Sequence, residues 1–485
     1  MKLNTIKIKN FRCFESTEIS FGSKATVFIG KNGTGKSSII SALKRGLSFL
    51  FAKNNNFANN LCNSNNAKIR GFEFWDANFD EIKRIFNYYV SIDLNGTFEN
   101  KPIEWALFKK DAKSKRLYST LYENAQNTVL EHYNNGVENA KLPILAFYSD
   151  SYPHVLSNVG SVAKKIVTKD IIPRDFGYYG WDEITNCMEL WLIRYKKVSK
   201  FIRDYQIDLE RIENQIKDFT EKNNVNGTAN ILTLNQRLEA IKNDKRITSF
   251  KKELDFIDSK IIKLTEPLRS DLDFINDEFQ IVRLLSNSPT EDVKDDSLEF
   301  IFANGSSIFF EMLPQGYKRI FSIAIDLAYR NYILNETNDS EGIVFIDEIE
   351  LHLHPTLQQE ILQRLVKAFP NVQFITTTHS ISVVSNLKTD REENKIIKLE
   401  KEGLIYSNTP INDIFGIDYS TGLMDIMGAT YRSTHIDNLI DSYVILKIRN
   451  RHNDAQKIWD EIFAIVGINN EIIKKEISEK VEANR

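Results

Sequence analysis

The chain has 485 residues, 27% of them charged and 42% hydrophobic, with a formal net charge of −3 and a pI near 6.3. This composition excludes collagen-like and disordered classes, and no stretch reaches about 18 apolar residues without a charge, so no membrane span is expected. The length points to about three domains at roughly 150 residues each, and the near-neutral charge leaves any nucleic-acid contact to a local patch.

Met1 to Lys9 alternates polar and apolar residues, which predicts a strand rather than a signal peptide. Cys13, Cys62 and Cys187 are too widely spaced for a CxxC pair, so neither a disulfide framework nor a zinc hook is expected and a reducing cytoplasm fits best. Two alternating stretches, Thr5 to Ile8 and Thr17 to Phe21, lead into the buried-strand pattern Ala25-Thr26-Val27-Phe28-Ile29. The next residues are Gly30, Lys31, Asn32, Gly33, Thr34, Gly35, Lys36, Ser37 and Ser38, followed by the helix formers Ile39 to Leu43. Strand, Gly-x-x-x-x-Gly-Lys-Ser and helix, in that order, match a phosphate-binding loop. Its backbone N–H groups and the helix N-terminus face phosphates, Lys36 reaches the β and γ phosphates, and Ser37 ligates magnesium. ATP and Mg²⁺ are therefore the expected ligands.

Lys53 to Asn66 is crowded with asparagine and predicts an exposed loop. From about residue 181 to 275 Gly and Pro nearly vanish, and Val198, Ile202, Tyr205, Leu209, Ile212, Ile216 and Phe219 form a heptad seam. Asn223 to Gly227 interrupts it before a second seam, Ile247, Phe250, Leu254, Ile257, Ile261, Leu264 and Leu268. An antiparallel hairpin with arms of roughly 40 residues, about 60 Å long, and a compact bundle on the head both fit this pattern. Glu299 to Ala303 and Ser306 to Glu311 then predict a β-hairpin closed by a type I′ turn at Asn304-Gly305, delivering the chain to Leu313-Pro314-Gln315-Gly316.

An α/β alternation resumes with a helix carrying Ile323 and Leu327, the strand Ile343 to Ile346, a helix after Pro355, and the strand Val372 to Thr376. The first strand ends in Asp347-Glu348, where Asp347 would hold magnesium and Glu348 polarise the attacking water. The second ends in Thr377-Thr378-His379-Ser380, presenting His379 toward the γ phosphate. Catalytic roles are thus expected for Glu348, His379 and Lys36, and metal ligation for Ser37 and Asp347. A separate transition-metal set could be drawn from Asp347, Glu348, Glu350, His352 and His354 on alternate positions. Residues 411–485 read as amphipathic helix without a catalytic set.

Together these motifs resemble the ABC-type ATPase heads of the SMC, RecF and overcoming-lysogenization-defect class. Asp347-Glu348-Ile349-Glu350-Leu351-His352-Leu353-His354-Pro355 is similar to the Walker B and D-loop stretch of compact anti-phage defence ATPases, those of Septu first and of PARIS as the alternative. The resemblance implies an α/β P-loop head split by a helical, coiled-coil hairpin insertion, with a small C-terminal helical tail. The corresponding segments are 1–180 and 286–410 for the two lobes of the head, 181–285 for the insertion and 411–485 for the tail. It also implies that Arg12, in Asn10-Phe11-Arg12-Cys13-Phe14, approaches the phosphates, and that two heads sandwich ATP. The signature segment Gln315, Gly316, Tyr317 and Lys318 of one head then completes the site of the other. Pro314 stands where the family carries serine, so one hydroxyl contact is lost, Lys318 or Arg319 becomes the source of positive charge, and slow turnover is expected.

The same resemblance implies a cytoplasmic homodimer, or a higher homo-oligomer, that acts as sensor and scaffold for a separate effector nuclease of HNH or Toprim type, with DNA or a phage protein as further partners. Residues 411–485 contain no Asp-x-Asp, and the seven histidines show no HNH constellation, so any nuclease should be another chain. A RecF-like repair ATPase that binds DNA itself, and a nucleotide-gated clamp that scarcely hydrolyses ATP, are the competing functions.

Overall fold

The computed structural model describes residues 1–51, 70–114, 120–137, 140–151, 159–182, 187–221, 227–268, 279–287, 297–336, 340–390, 392–412, 414–428 and 434–483. The asparagine-rich stretch and the interruption of the heptads at 222–226 lie outside them. The first two alternating segments pair as the antiparallel strands Lys2–Phe11 and Phe14–Ser20, with Ile6 opposite Ile19, so that one face is apolar. Strands Val90–Phe98 and Lys101–Lys109 complete a four-stranded sheet, and the Trp105 indole donates to the carbonyl of Gly46 (2.8 Å), pinning that sheet to the helix Lys36–Leu47.

The second sheet carries the chemistry. Ala25–Ile29, Gly342–Ile346 and Val372–Thr377 are buried at every position, as strands covered on both faces are, including the polar Thr26, Gln373, Thr376 and Thr377. With Asn394–Glu402 and Ile144–Tyr148 they form five parallel strands, in the spatial order Asn394–Glu402, Ala25–Ile29, Val372–Thr377, Gly342–Ile346, Ile144–Tyr148; Ile405–Ile411 adds an antiparallel edge. The two sheets are tied by one buried amide: Gln373 accepts from the N–H of Leu3 (2.7 Å) and donates to the carbonyls of Leu3 (2.8 Å) and Gly22 (2.7 Å). Strands from both lobes thus share one sheet, so residues 1–416 form a single compact unit rather than separate segments.

The insertion consists of the helices Cys187–Glu221, Gly227–Lys242 and Lys245–Thr265. The first, at 35 residues, is about 52 Å long. Its outer seam, from Ile202 to Phe219, is half-buried apart from the fully buried Ile212, and it faces a seam not read from the sequence: Ile231, Leu234, Leu238 and Ile241. The seam from Ile247 onward does something else. Asp244 caps a new helix there, and this helix packs on the inner half of the long helix and on the head. Arg194 and Glu253, both almost fully buried, form a two-pronged ion pair (2.7 Å each), and Lys260 donates to the carbonyl of Ala368 (3.1 Å). The lower part is therefore a bundle belonging to the head, and the upper part is a two-helix pair.

The hairpin Ser297–Phe302 and Ser307–Phe309 forms, but not with a type I′ turn. Gly305 is left-handed (φ 81°) and Asn304 is not, so the loop holds three residues, Ala303 to Gly305, closed by the Gly305 N–H on the Phe302 carbonyl (3.0 Å). The second compact unit, Ile417–Arg485, begins six residues later than the boundary expected at 411, because Ile405–Ile411 is still a strand of the head. Its helices Thr434–Ile448, His452–Val466 and Glu471–Ala483 bury a core that includes Ile440, Tyr443, Ala455, Ile462 and Ile477. Among the described residues no helix is long and apolar enough to cross a membrane.

At the base of the insertion Asp258 accepts from the Tyr195 hydroxyl (2.8 Å), and burial pushes its carboxyl up to about 7, with Asp255 adding to the rise and Arg283 opposing it. The fold then holds more protons than the unfolded chain between about pH 4 and 7, so this group's contribution to stability falls as pH rises through that window. Asp258→Asn should therefore raise the thermal unfolding midpoint by several degrees at pH 8 and by clearly less at pH 5. A gain independent of pH would show that the carboxyl titrates normally.

Candidate functional site

The phosphate-binding loop follows directly from its glycines. Gly30 adopts φ 151°, and a Cβ there would lie 2.4 Å from the Leu399 carbonyl oxygen, so only glycine lets the loop leave the sheet at this point. Gly35, at φ 100°, precedes the helix Lys36–Leu47. The Lys36 ammonium donates to the loop carbonyls of Gly30 (2.6 Å) and Lys31 (3.1 Å), while the Thr34 hydroxyl donates to the Lys31 carbonyl (2.9 Å). Burial pushes the Lys36 ammonium below the ordinary lysine value, and Asp347, Glu348 and Glu350 pull the other way.

The acidic pair is held from two sides. On one, Thr377 donates its hydroxyl to Asp347 Oδ1 and accepts the Glu348 N–H (2.9 Å). On the other, the buried guanidinium of Arg319 donates to the carbonyls of Asp347 (2.7 Å) and Glu348 (3.2 Å), and also to those of Ser149 (3.1 Å) and Asp150 (2.6 Å). Glu348 itself takes a left-handed backbone, φ 48°, an uncommon conformation for this residue type. Glu350 accepts from the Thr378 hydroxyl and from the His379 N–H (2.6 Å each), which fixes the histidine-bearing strand end beside the acidic one.

A cavity of about 320 Å³ collects Asn32, Gly33, Gly35, Lys36, Ser37, Ser38, Asp347, Glu348 and His379, all expected, together with Asp150, which lies in the candidate region Tyr148 to Tyr152 for the loop that senses the γ phosphate, and with Cys13 and Thr377, which carry no expected role. Gly30, Lys31 and Thr34 belong to the same loop and brace Lys36 from behind. Arg12 does not line the cavity: its guanidinium is bonded to the buried Asp76 (2.9 Å), whose other oxygen takes Arg45 (2.6 Å). Gln315, Gly316, Tyr317 and Lys318 open the helix Gln315–Asn335 away from the cavity lining, and Lys318 donates to the Glu311 carbonyl (2.9 Å). Arg319 cannot supply charge to a second head, contrary to expectation, because its guanidinium is buried against backbone carbonyls. The Ser37 hydroxyl and the Asp347 carboxylate are hard oxygen donors lining the same cavity and fit Mg²⁺, which takes few protein ligands and keeps water. No cluster of three or more His, Cys, Asp or Glu suited to a metal occurs among the described residues, so the histidine-rich alternative gains no support.

A family model described as the AAA ATPase domain matches residues 1–384. The chain belongs to this family. It is 26% identical to the "Retron Vc95 probable ATPase" of Vibrio cholerae serotype O1 biovar El Tor over 437 residues, 87% of this chain and 78% of that protein. It is 25% identical to the "Retron Ec83 probable ATPase" of Escherichia coli, over 79% of this chain and 69% of that one. The Septu protein PtuA of Bacillus mycoides (strain KBAB4) is 34% identical over 166 residues, 33% of this chain and 22% of that protein. Among solved structures, the SMC head domain from Thermotoga maritima aligns over 85% of this chain and 100% of that one, with 11% identity and a TM-score of 0.38. The resemblance to Septu-type ATPases drawn from the motifs is thus borne out by sequence comparison.

In this AAA ATPase Thr377 braces the acidic pair through its hydroxyl. Thr377→Val keeps the shape and removes both hydrogen bonds, so turnover should fall about 10- to 100-fold, with nucleotide affinity nearly unchanged. Equal losses in binding and turnover would show that Thr377 shapes the pocket rather than the acids.

Proposed function

We propose that this chain is a magnesium-dependent ATPase head that works as a pair and serves as sensor and scaffold of an anti-phage system, controlling a separate nuclease. The observation that carries the chemistry is the cavity in which Lys36, Ser37, Asp347, Glu348 and His379 meet beyond the carboxyl ends of three parallel strands. Lys36 binds the β and γ phosphates once they displace its loop carbonyls. Ser37 and Asp347 hold the magnesium ion, which neutralises phosphate charge when bound. Glu348 orients and polarises the attacking water, and His379 faces the γ phosphate. Gln315, Gly316, Tyr317 and Lys318 do not line the cavity of their own chain, which supports completion of each site by the same residues of a second copy. Arg12, already aligned by Asp76, lies next in sequence to the cavity-lining Cys13 and reaches the phosphates by a rotation of its side chain.

The defence role rests on the relatives: two are retron ATPases by name and one is a Septu protein. The second reading, a clamp that holds ATP and hardly hydrolyses it, is favoured by Pro314, which starts the signature helix without a side-chain cap.

Purification from the native operon with magnesium and ATP separates these readings by native mass. Glu348→Gln should accumulate an ATP-bound dimer that wild type forms only transiently, and a nuclease chain should travel with it. A wild-type dimer equally stable with ATP would favour the clamp. A homodimer that retains DNA and no nuclease would overturn the scaffold role in favour of repair.

A further inference from the structure

One buried carboxylate, 64 positions along the chain from Arg12, joins that residue to the helix behind the phosphate-binding loop. The Asp76 side chain gives each of its oxygens to a different guanidinium. Oδ1 accepts from Arg12 Nε (2.9 Å), and Oδ2 accepts from Arg45 (2.6 Å) and from the Glu73 N–H (2.8 Å). Arg45 belongs to the helix Lys36–Leu47, whereas Arg12 lies in the turn between the first two strands, beside the cavity-lining Cys13. Both guanidiniums also stand near the ring of the buried Phe11, 5.4 and 5.8 Å from its centroid.

The segment around Asp76 grips the backbone of Arg12 as well as its side chain. The Arg12 N–H donates to the Asp76 carbonyl (2.8 Å), and the Arg12 carbonyl accepts from the Asn78 amide (2.8 Å), which the Asn87 amide holds in turn (2.9 Å). These bonds hold Arg12 in a left-handed backbone, φ 51°, uncommon for a residue with a side chain. Asp76 engages Arg12 through Nε, and among the described residues no hydrogen bond engages its two terminal nitrogens, the fork whose geometry suits a phosphate. The charges are unequal: two cations share one anion, so the cluster keeps a positive surplus. Burial pushes the Arg45 guanidinium below its ordinary value, Asp76 opposes this and Arg12 adds to it. Arg45, with its side chain 12% exposed against 35% for Arg12, is the cation that most needs the carboxylate, and the surplus therefore resides on Arg12.

We propose that Asp76 is the positioning residue of Arg12: it holds the guanidinium by one edge beside the nucleotide cavity, anchored by Arg45, so that the terminal nitrogens are set for the phosphates of bound ATP. This role rests on the reading of Arg12 given above, and Asp76 itself touches no nucleotide. Without the carboxylate, two like charges would face each other near Phe11, and the more exposed Arg12 would be the one displaced. An amide at this place keeps the shape but neutralises neither cation.

A double-mutant cycle on the full chain tests this, with binding of a fluorescent non-hydrolysable ATP analogue in magnesium as the readout. Arg12→Ala should weaken binding about tenfold. Asp76→Asn should weaken it about fivefold while Arg12 is present, and should add nothing in the Arg12→Ala background. A residue that merely supported the fold would cost the same in both backgrounds, so an equal loss would overturn the proposal. Unchanged or tighter binding by a folded Asp76→Asn variant, with Arg12→Ala still impaired, would overturn it too and leave the role of Arg12 standing. Unchanged binding by Arg12→Ala would instead overturn the reading of Arg12. Should Asp76→Asn fail to fold, Arg45→Met combined with Asp76→Asn, which leaves no buried charge unpaired, takes its place in the cycle.

Discussion

The buried guanidinium of Arg319 is the point at which the parts of this nucleotide site meet. It grows from the second turn of the helix that opens at Gln315, and it donates to four backbone carbonyls on two strand ends. A cation removed from water costs far more than one hydrogen bond returns, so these four bonds together favour one arrangement of the parts. The geometry of helix, acidic pair and edge strand is consequently fixed as a set. Gly316 tightens the same joint: a Cβ there would lie 2.3 Å from the His352 carbonyl oxygen, so the helix start approaches the loop after the acidic pair more closely than any other residue allows. A shift of the helix N-terminus has a short mechanical route to Glu348.

Beneath this joint a second polar network holds the edge strand itself. The Tyr148 hydroxyl donates to Asp326 (2.6 Å), which also accepts from Arg330 (2.7 Å) and from the Trp191 indole, and Trp191 stacks on Tyr329 (5.1 Å between centroids). Asp326 and Arg330 belong to the helix that carries Arg319, and Trp191 belongs to the long helix of the insertion. The insertion is thus rooted one strand away from the cavity. A fully paired buried network of this kind specifies one arrangement more than it adds net stability.

The parts of the site that were legible in the sequence are those encoded locally. Gly30 to Ser38 needs only its own glycines and the helix behind it, and Asp347-Glu348 needs only an apolar strand in front. What could not be read depends on pairing between distant segments. The strand Ile144–Tyr148 pairs with Gly342–Ile346, a matter of strand order, and sequence spacing carries no such information. Arg319 reads as an available charge because it belongs to the signature segment, whereas the tertiary fold turns it inward. The asparagine at 304 suggested a two-residue turn, but the strand register left room for three, with Gly305 alone taking the left-handed position. The seam from Ile231 to Ile241 is hard to read because Asn243-Asp244 ends it after about a heptad and a half, and a cap inside a heptad run reads as noise until the helices are seen to part.

Pro314 illustrates how much of a phosphate-binding function survives the loss of a side chain. Serine at this place would offer a hydroxyl; proline offers none, and it has no N–H. Yet the first intrahelical bond runs from the Lys318 N–H to the Pro314 carbonyl (2.9 Å), so the helix of 21 residues opens with backbone N–H groups ahead of its own ladder, at the end where the aligned peptide dipoles favour an anion. Proline also fixes its φ, here −53°, at a value that suits helix entry. Under the pairing of heads proposed above, proline in place of serine would remove one contact that strengthens as charge develops and leave the backbone ones that bind phosphate in any state. That would bring ground-state and transition-state binding closer together, the physical condition for tight nucleotide holding with slow turnover.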